Sequence, residues 1–421
     1  MANVRNSLCI ALGWFSLTNK ILSFLPYSRQ RIEEDDIAAV VETLRSDFLT
    51  TGPKINEFEE AFASRVNVDH AIVCTNGTAA LHMATAVAKL GPGDTAIVPA
   101  ITFLATANAV RYTGADVVFA DVDPDTGLMT TETLDAALKS KNAASIRAIL
   151  PVHMNGQCCD MPAVADRAKK AGVMIIEDAC HVLGGAYTDG EPVGNCTFSD
   201  MGVFSAHPVK AIAMGEGGII TTASPKLAAQ LRLVRNHGME RDQAQFTNPE
   251  QAFAQNGEAN PWYYEMQDIG SNYRASDIHC ALGLSQLTKL DTFVSTKNKL
   301  AEYYQQRLQG LAPIVKPIKR TENGIPAWHV SVVLIDFEKA GTDRASVMNA
   351  LRKKGIGSQV LYMPLYRQPY YERLYGAQRM AGAEKYYARC LCLPLFTDMT
   401  SDDIDRIVDT LASVLGISVD G

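Results

Sequence analysis

The chain predicts an α/β protein built on a mainly parallel sheet, followed by a smaller α+β domain. Three observations carry this reading. Short apolar runs (AIVC, AIVPA, VVFADVD, IRAILPVH and VMIIEDA) alternate with helical stretches between Ala71 and Ala179. Parallel strands need crossover connections and are covered on both faces, so they read as near-continuous apolar runs. From Pro313 onward the texture changes to separate strands (HVSVVLIDF) and helices (DRASVMNALRKKG). Finally, 421 residues with 47% hydrophobic and 20% charged content suffice for two domains and a large core. The division expected is an N-terminal extension over 1–24, a large domain over 25–295 and a small domain over 296–421.

In chain order, EEDDIAAVVETLR (Glu33 to Arg45) places apolar residues at helical spacing behind an acidic first turn. A second helix is expected from Phe58 to Val66, then a strand from Ala71 to Cys74 leading through Thr-Asn-Gly-Thr into another helix. Such a turn leaves free backbone N–H groups where an anion can bind. After further strand–helix alternation come a helix from Met161 to Ala171, the strand ending at Asp178, the run IITT and a helix near Pro225 to Arg235. The stretch Met239 to Pro261 reads as a polar, irregular insertion. Ser276 is an expected N-cap for a helix that runs on into a charged one through Arg307.

The formal net charge of −7, with no basic stripe, argues against nucleic-acid binding. Nine scattered cysteines without CxxC spacing offer no disulfide framework and no zinc site, and point to reduced thiols in the cytoplasm. Residues Ser7 to Leu25 are apolar behind Arg5, but Asn19 and Lys20 interrupt them and no small-residue cleavage site follows. A tail or docking helix is expected there in place of an export signal or membrane span.

Chemistry concentrates in three places. Gly77, Thr78 and Ala79 open a helix after a strand, which suits a phosphate. Asp178 ends an apolar strand, with His181 close behind. Lys210 follows in FSAHPVKAIAMGEGG, with Ser205 just before it. Pyridoxal phosphate needs an amine for its aldehyde, a carboxylate for its pyridine nitrogen and N–H or hydroxyl donors for its phosphate. Each feature alone has an ordinary explanation: a helix cap, a strand-end carboxylate, a core histidine, a solvated lysine. Their occurrence together and in order favours the cofactor.

The runs EDACHVLGG, SDMGVFSAHPVKAIAMGEGGIITT and GSNYRASDIHCALGLSQL resemble the DegT/DnrJ/StrS family of sugar-nucleotide aminotransferases from about Pro26 to the C-terminus. The resemblance implies fold type I, with a mainly parallel seven-stranded-type sheet and a small C-terminal domain. It implies that Lys210 binds the cofactor covalently, Asp178 pairs with the pyridine nitrogen, and His181 hydrogen-bonds near the ring hydroxyl. Phe103 would stack on the ring, and Thr78, Ala79 and Ser205 would hold the phosphate. Asn272 would reach the phosphate of a neighbouring subunit, which implies a homodimer with shared active sites. Tyr27, Asp47, Phe48, Leu49, Thr50, Gly77, Gln359, Val360, Leu361 and Tyr362 would form the sugar-nucleotide side.

PYSRQRI, SDFLTTGP, ITFLATANAV, PVHMNGQ and QPYY carry a closer similarity to the transaminases of pseudaminic acid biosynthesis. That implies glutamate as donor and a UDP-linked 2-acetamido-2,6-dideoxy-4-hexulose as acceptor, with GDP- or dTDP-linked 4-keto sugars as the alternative. The chain departs from the family pattern at Ala206 (usually Phe), Met214 (usually Thr) and Leu361 (usually His). A lysine at position 210 argues against the family's dehydratases, which carry histidine there. A binding-only regulator on the same fold, or another pyridoxal enzyme, are the competing classes. The first has no need of Lys210, and the second would lack GSNYRASD and YMPLY.

Overall fold

The computed structural model describes residues 23–140 and 143–418. Up to residue 22 the expected N-terminal tail lies outside them.

Helix Glu34–Leu44 forms where the acidic turn predicts it, with a capping box between Glu33 and Asp36. The fully buried Asp36 carboxylate accepts from the Ser285 hydroxyl at 2.6 Å and the Gln286 amide at 2.8 Å, tying this helix to helix Asp277–Leu287. The next helix, Pro53–Arg65, starts at Pro53, ahead of the expected Phe58. Its start is set from far along the chain: the Asp277 carboxylate accepts from the N–H groups of Gly52 and Lys54 at 2.8 and 3.0 Å.

The large sheet has seven strands in the spatial order His70–Cys74, Gly218–Thr222, Met201–Ser205, Met174–Asp178, Ile146–Ile149, Thr95–Pro99, Asp116–Ala120. Strand Gly218–Thr222 runs antiparallel to both neighbours, and the remaining pairings are parallel. The strands are nearly continuously buried, as expected for a sheet covered on both faces.

The insertion after Met239 is more ordered than its polarity suggests. Met239–Glu240 pairs with Glu265–Met266, and the Glu265 carboxylate gathers the Thr247 and Asn248 N–H groups and the Tyr263 hydroxyl within 2.9 Å. Ser276 caps helix Asp277–Leu287, accepting from the His279 N–H at 3.3 Å. That helix does not run on: the chain breaks at Thr288 and Lys289 and starts a new helix, Leu290–Leu308. The new helix is continuous through residue 295 and packs on helix Ser401–Leu415.

The C-terminal part contains a three-stranded antiparallel sheet, ordered Val315–Pro317, Ser331–Ile335, Cys390–Leu393. Leu25 also bridges to Ile356, so the start of the described chain hangs on this smaller unit. Among the described residues, no helix is long and apolar enough to cross a membrane.

Candidate active site

Three parallel strands of the large sheet point their carboxyl ends at one crevice. Thr95–Pro99 leads to Thr102 and Phe103, Met174–Asp178 ends on Asp178, and Met201–Ser205 ends on Ser205. Edge strand His70–Cys74 delivers Asn76 and Gly77 to the same place. Crevices at carboxyl strand ends are where open α/β sheets take ligands. The cavity here measures about 970 Å³, large enough for a cofactor and part of a second molecule.

One end is suited to an anion. The Asn76 side chain caps helix Gly77–Val87, accepting from the Ala79 N–H at 2.9 Å. The N–H groups of Gly77 and Thr78 have no acceptor within their own first turn and border the cavity. Close backbone approach explains the glycines. A Cβ on Gly77 would lie 2.9 Å from Ser205 Cβ, and one on Gly218 would lie 2.2 Å from the Asn76 carbonyl oxygen. The GEGG segment therefore returns the chain as an antiparallel strand pressed against the turn that starts the helix.

Deeper in, the Asp178 carboxylate is 5% exposed. It accepts from the Thr106 hydroxyl at 2.7 Å and the Cys180 N–H at 3.2 Å, and Thr106 in turn is bonded to Thr102 at 2.8 Å. Burial, together with Lys210 and Lys297 nearby, pushes the proton affinity of His181 well down, so its ring is neutral. Lys210 lies in the turn after strand Met201–Ser205 and lines the cavity. Desolvation lowers the pKa of its amine, against the opposing pull of Cys180 and Asp178.

These groups fit the cofactor that the resemblance implies. There is a capped helix start with a hydroxyl for phosphate, a buried carboxylate held by two donors for a protonated ring nitrogen, and a desolvated amine for the aldehyde.

The outer wall comes from the C-terminal unit. The Gln359–Tyr362 segment is laddered to strand Cys390–Leu393, with the Cys392 N–H donating to the Gln359 carbonyl at 2.8 Å. Tyr27 is held by the Leu395 N–H at 3.1 Å, and Phe103 faces Tyr362 with ring centroids 5.8 Å apart. Leu361 is buried in this wall, its carbonyl accepting from the Tyr386 hydroxyl at 2.9 Å. Of the sequence-predicted residues, Gly77, Thr78, Ala79, Phe103, Asp178, His181, Ser205, Lys210, Tyr27 and Gln359 to Tyr362 thus meet at one cavity. Asp47, Phe48, Leu49, Thr50 and Asn272 do not: they are exposed and absent from its lining.

Sequence reasoning missed four contributors. Thr106 and Asn155 act through hydrogen bonds to Asp178 and His181, and His329 stacks on His181 with centroids 4.3 Å apart. Lys297 is 7% exposed, and burial plus the Lys210 charge brings its pKa down to about 7. Only an apolar-face position in the helical register of Leu290–Leu308 hinted that Lys297 turns inward.

Residues 30–412 match the DegT/DnrJ/EryC1/StrS aminotransferase family. The spore coat polysaccharide biosynthesis protein SpsC of Bacillus subtilis (strain 168) is 35% identical over 395 residues, 93% of this chain and 97% of that protein. Among solved structures, Helicobacter pylori PseC, an aminotransferase involved in the biosynthesis of pseudoaminic acid, superposes with a TM-score of 0.83 at 27% identity, covering 94% of this chain and all of that one. The PLP-form of the putative sugar aminotransferase Spr1654 from Streptococcus pneumoniae superposes with a TM-score of 0.81 at 26% identity, covering 93% of this chain and 99% of that one. The crevice chemistry and these likenesses agree: the chain belongs to the DegT/DnrJ/EryC1/StrS aminotransferase family, and its cofactor is pyridoxal 5′-phosphate.

Proposed function

We propose that this protein transfers the amino group of glutamate to C4 of a nucleotide-linked 4-keto-6-deoxy sugar. The acceptor we favour is UDP-2-acetamido-2,6-dideoxy-4-hexulose, on the way to a nonulosonic acid such as pseudaminic acid. The transfer chemistry rests on one observation: the desolvated amine of Lys210 faces the same crevice as buried Asp178 and neutral His181.

When bound, pyridoxal phosphate supplies a carbonyl for covalent attachment and a ring that holds an electron pair. In this reading Gly77, Thr78, Ala79 and Ser205 surround its phosphate, and Phe103 covers the ring. Asp178, oriented by Thr106, keeps the pyridine nitrogen protonated, and His181 donates a hydrogen bond near the ring hydroxyl. Lys210 takes the proton from the α-carbon of the donor amino acid and later delivers one to C4 of the sugar. A lowered proton affinity raises the neutral fraction that can act as base.

Tyr27, Gln359, Val360, Leu361 and Tyr362 form the sugar side. Asp47, Phe48, Leu49, Thr50 and Asn272 would enter from a second copy, making the enzyme a homodimer with shared sites. The two exposed stretches adjoin, since Thr50 bridges to Ser276, so one face could present both. This reading includes a cytoplasmic setting, in line with nine scattered cysteines that form no disulfide framework in the sequence.

The likeness to PseC supports the UDP-linked acceptor. Leu361 favours a second reading, a GDP- or dTDP-linked 4-keto-6-deoxyhexose, because leucine packs where the family's histidine could hydrogen-bond. One lost hydrogen bond shifts discrimination by about 1–3 kcal/mol, enough to change preference among stereoisomers but not the reaction class. Coupled assays with UDP-, GDP- and dTDP-linked 4-keto sugars and glutamate decide between them. We expect turnover with the UDP sugar. Turnover with another nucleotide sugar alone removes the pseudaminic assignment and leaves the transaminase standing.

A further inference from the structure

The neutral ring of His181 has two nitrogens, and its surroundings determine which one carries the proton. The backbone N–H of Asn155 points at Nδ1 from 3.3 Å. An amide N–H can only donate, so Nδ1 presents its lone pair and the ring proton belongs to Nε2. Nε2 lies 3.4 Å from the Tyr362 hydroxyl, on the cavity wall.

The Asn155 N–H is aimed there by the C-terminal unit. Asn155 has a left-handed backbone at φ 59°, a conformation asparagine tolerates better than most residues. Its side-chain oxygen accepts from the Val330 N–H and its carbonyl from the His329 N–H, both at 3.1 Å. The next residue, Gly156 at φ 90°, leaves no room for a side chain: a Cβ would lie 2.0 Å from the Ala327 carbonyl oxygen. From the other side the buried His329 ring stacks on His181 at 4.3 Å and 19°, fixing the ring plane. The charges that act on the His181 ring are the cations Lys210 and Lys297, with His329 stacked on it and the Tyr362 hydroxyl at Nε2; Cys180 and the Asp178 carboxylate line the same cavity, but that carboxylate accepts from the Thr106 hydroxyl and the Cys180 N–H.

We propose that Asn155 and His329 are positioning residues that hold His181 as the Nε2–H tautomer, which makes it a hydrogen-bond donor into the cavity and not a base. The contribution of that donor to transamination rests on the function proposed above. The tautomer does not, so the two can fail separately.

The test uses the cofactor-free full chain labelled with ¹⁵N-histidine, with His181 identified by comparison with His181→Gln. Long-range proton–nitrogen NMR should show a protonated Nε2 and a bare Nδ1, unchanged from pH 6 to pH 8. Asn155→Gly keeps the left-handed backbone but loses the Val330 bond, and should give a mixture of tautomers. His329→Ala should do the same, while His329→Phe, which keeps a stacked ring, should restore the single form. In the cofactor-loaded enzyme, Asn155→Gly should move the pH midpoint of the visible cofactor band by about 0.5–1 unit, with His329→Phe close to the parent. A bare Nε2 or a doubly protonated ring in the parent protein at pH 7 overturns the proposal. So does an unchanged His181 signature in correctly folded Asn155→Gly and His329→Ala. If neither variant folds, the parent spectrum still decides.

Discussion

Two lysines with opposite reasons to exist meet beside His181. Lys210 lies where the strand-turn motif predicts, and its lowered pKa follows first from desolvation. Borohydride treatment of the holoenzyme followed by peptide mapping should place the cofactor on Lys210; a label on any other lysine removes the central assignment. Among the described residues Lys297 has no anionic partner, and its folded pKa of about 7 is below the ordinary 10.5. The unfolded chain therefore binds more protons than the folded one between those values, so stability should rise with pH across that window. The penalty is complete below about pH 7 and gone above 10.5. Lys297→Met should accordingly raise the urea midpoint, by about 1–3 kcal/mol in stability at pH 7 and by much less at pH 10. Equal gains at both pH values would show that Lys297 is not desolvated as described.

At the scale of elements, the anion end of the cavity depends on strand Gly218–Thr222 lying directly on the Asn76 turn. Gly218→Ala would place a methyl 2.2 Å from the Asn76 carbonyl oxygen, so strand and helix start must separate. We expect about 1–3 kcal/mol lost in stability, a typical overpacking cost. Pyridoxal phosphate affinity should also fall at least ~10-fold, because displaced N–H donors forfeit about 1.4 kcal/mol or more of binding. Titrating the cofactor into the variant reads the second effect; unchanged affinity in a folded variant would detach the turn from phosphate binding. Local reading anticipated the Ser276 cap but not the Pro53 helix start. The first depends on a side chain within its own turn. The second depends on the Asp277 carboxylate, 225 residues from Gly52.

On the scale of the whole molecule, one chain gathers the cofactor residues but leaves Asn272 and the Asp47–Thr50 stretch on the outside. Trp262 (73% exposed) and Ile269 (83% exposed) lie in the same part of the chain as Asn272, an arrangement suited to burial against a second copy. If the sites are shared, mixing Lys210→Ala chains with Asn272→Ala chains restores one intact site per hybrid dimer. With random pairing that gives about a quarter of parental activity. Hybrid dimers that form and stay inactive would place each site within a single chain.

The sequence by itself determined the alternation of apolar runs and helices, hence the parallel sheet. It also determined the order of Gly77, Asp178, His181, Ser205 and Lys210 at strand ends. Those follow from local chemistry: burial on both faces, turn residues, and a lysine beside glycines. Periodicity does not say which element packs against which, so only the tertiary structure decided the supports. Thr106 reaches Asp178 from 72 residues away, and Asn155 ties His181 to a backbone N–H 175 residues further on. The reversed direction of Gly218–Thr222 in the large sheet, the inward turn of Lys297 and the order within the insertion belong to the same class. Each is settled by long-range hydrogen bonds or desolvation, which have no counterpart in neighbouring residues along the chain.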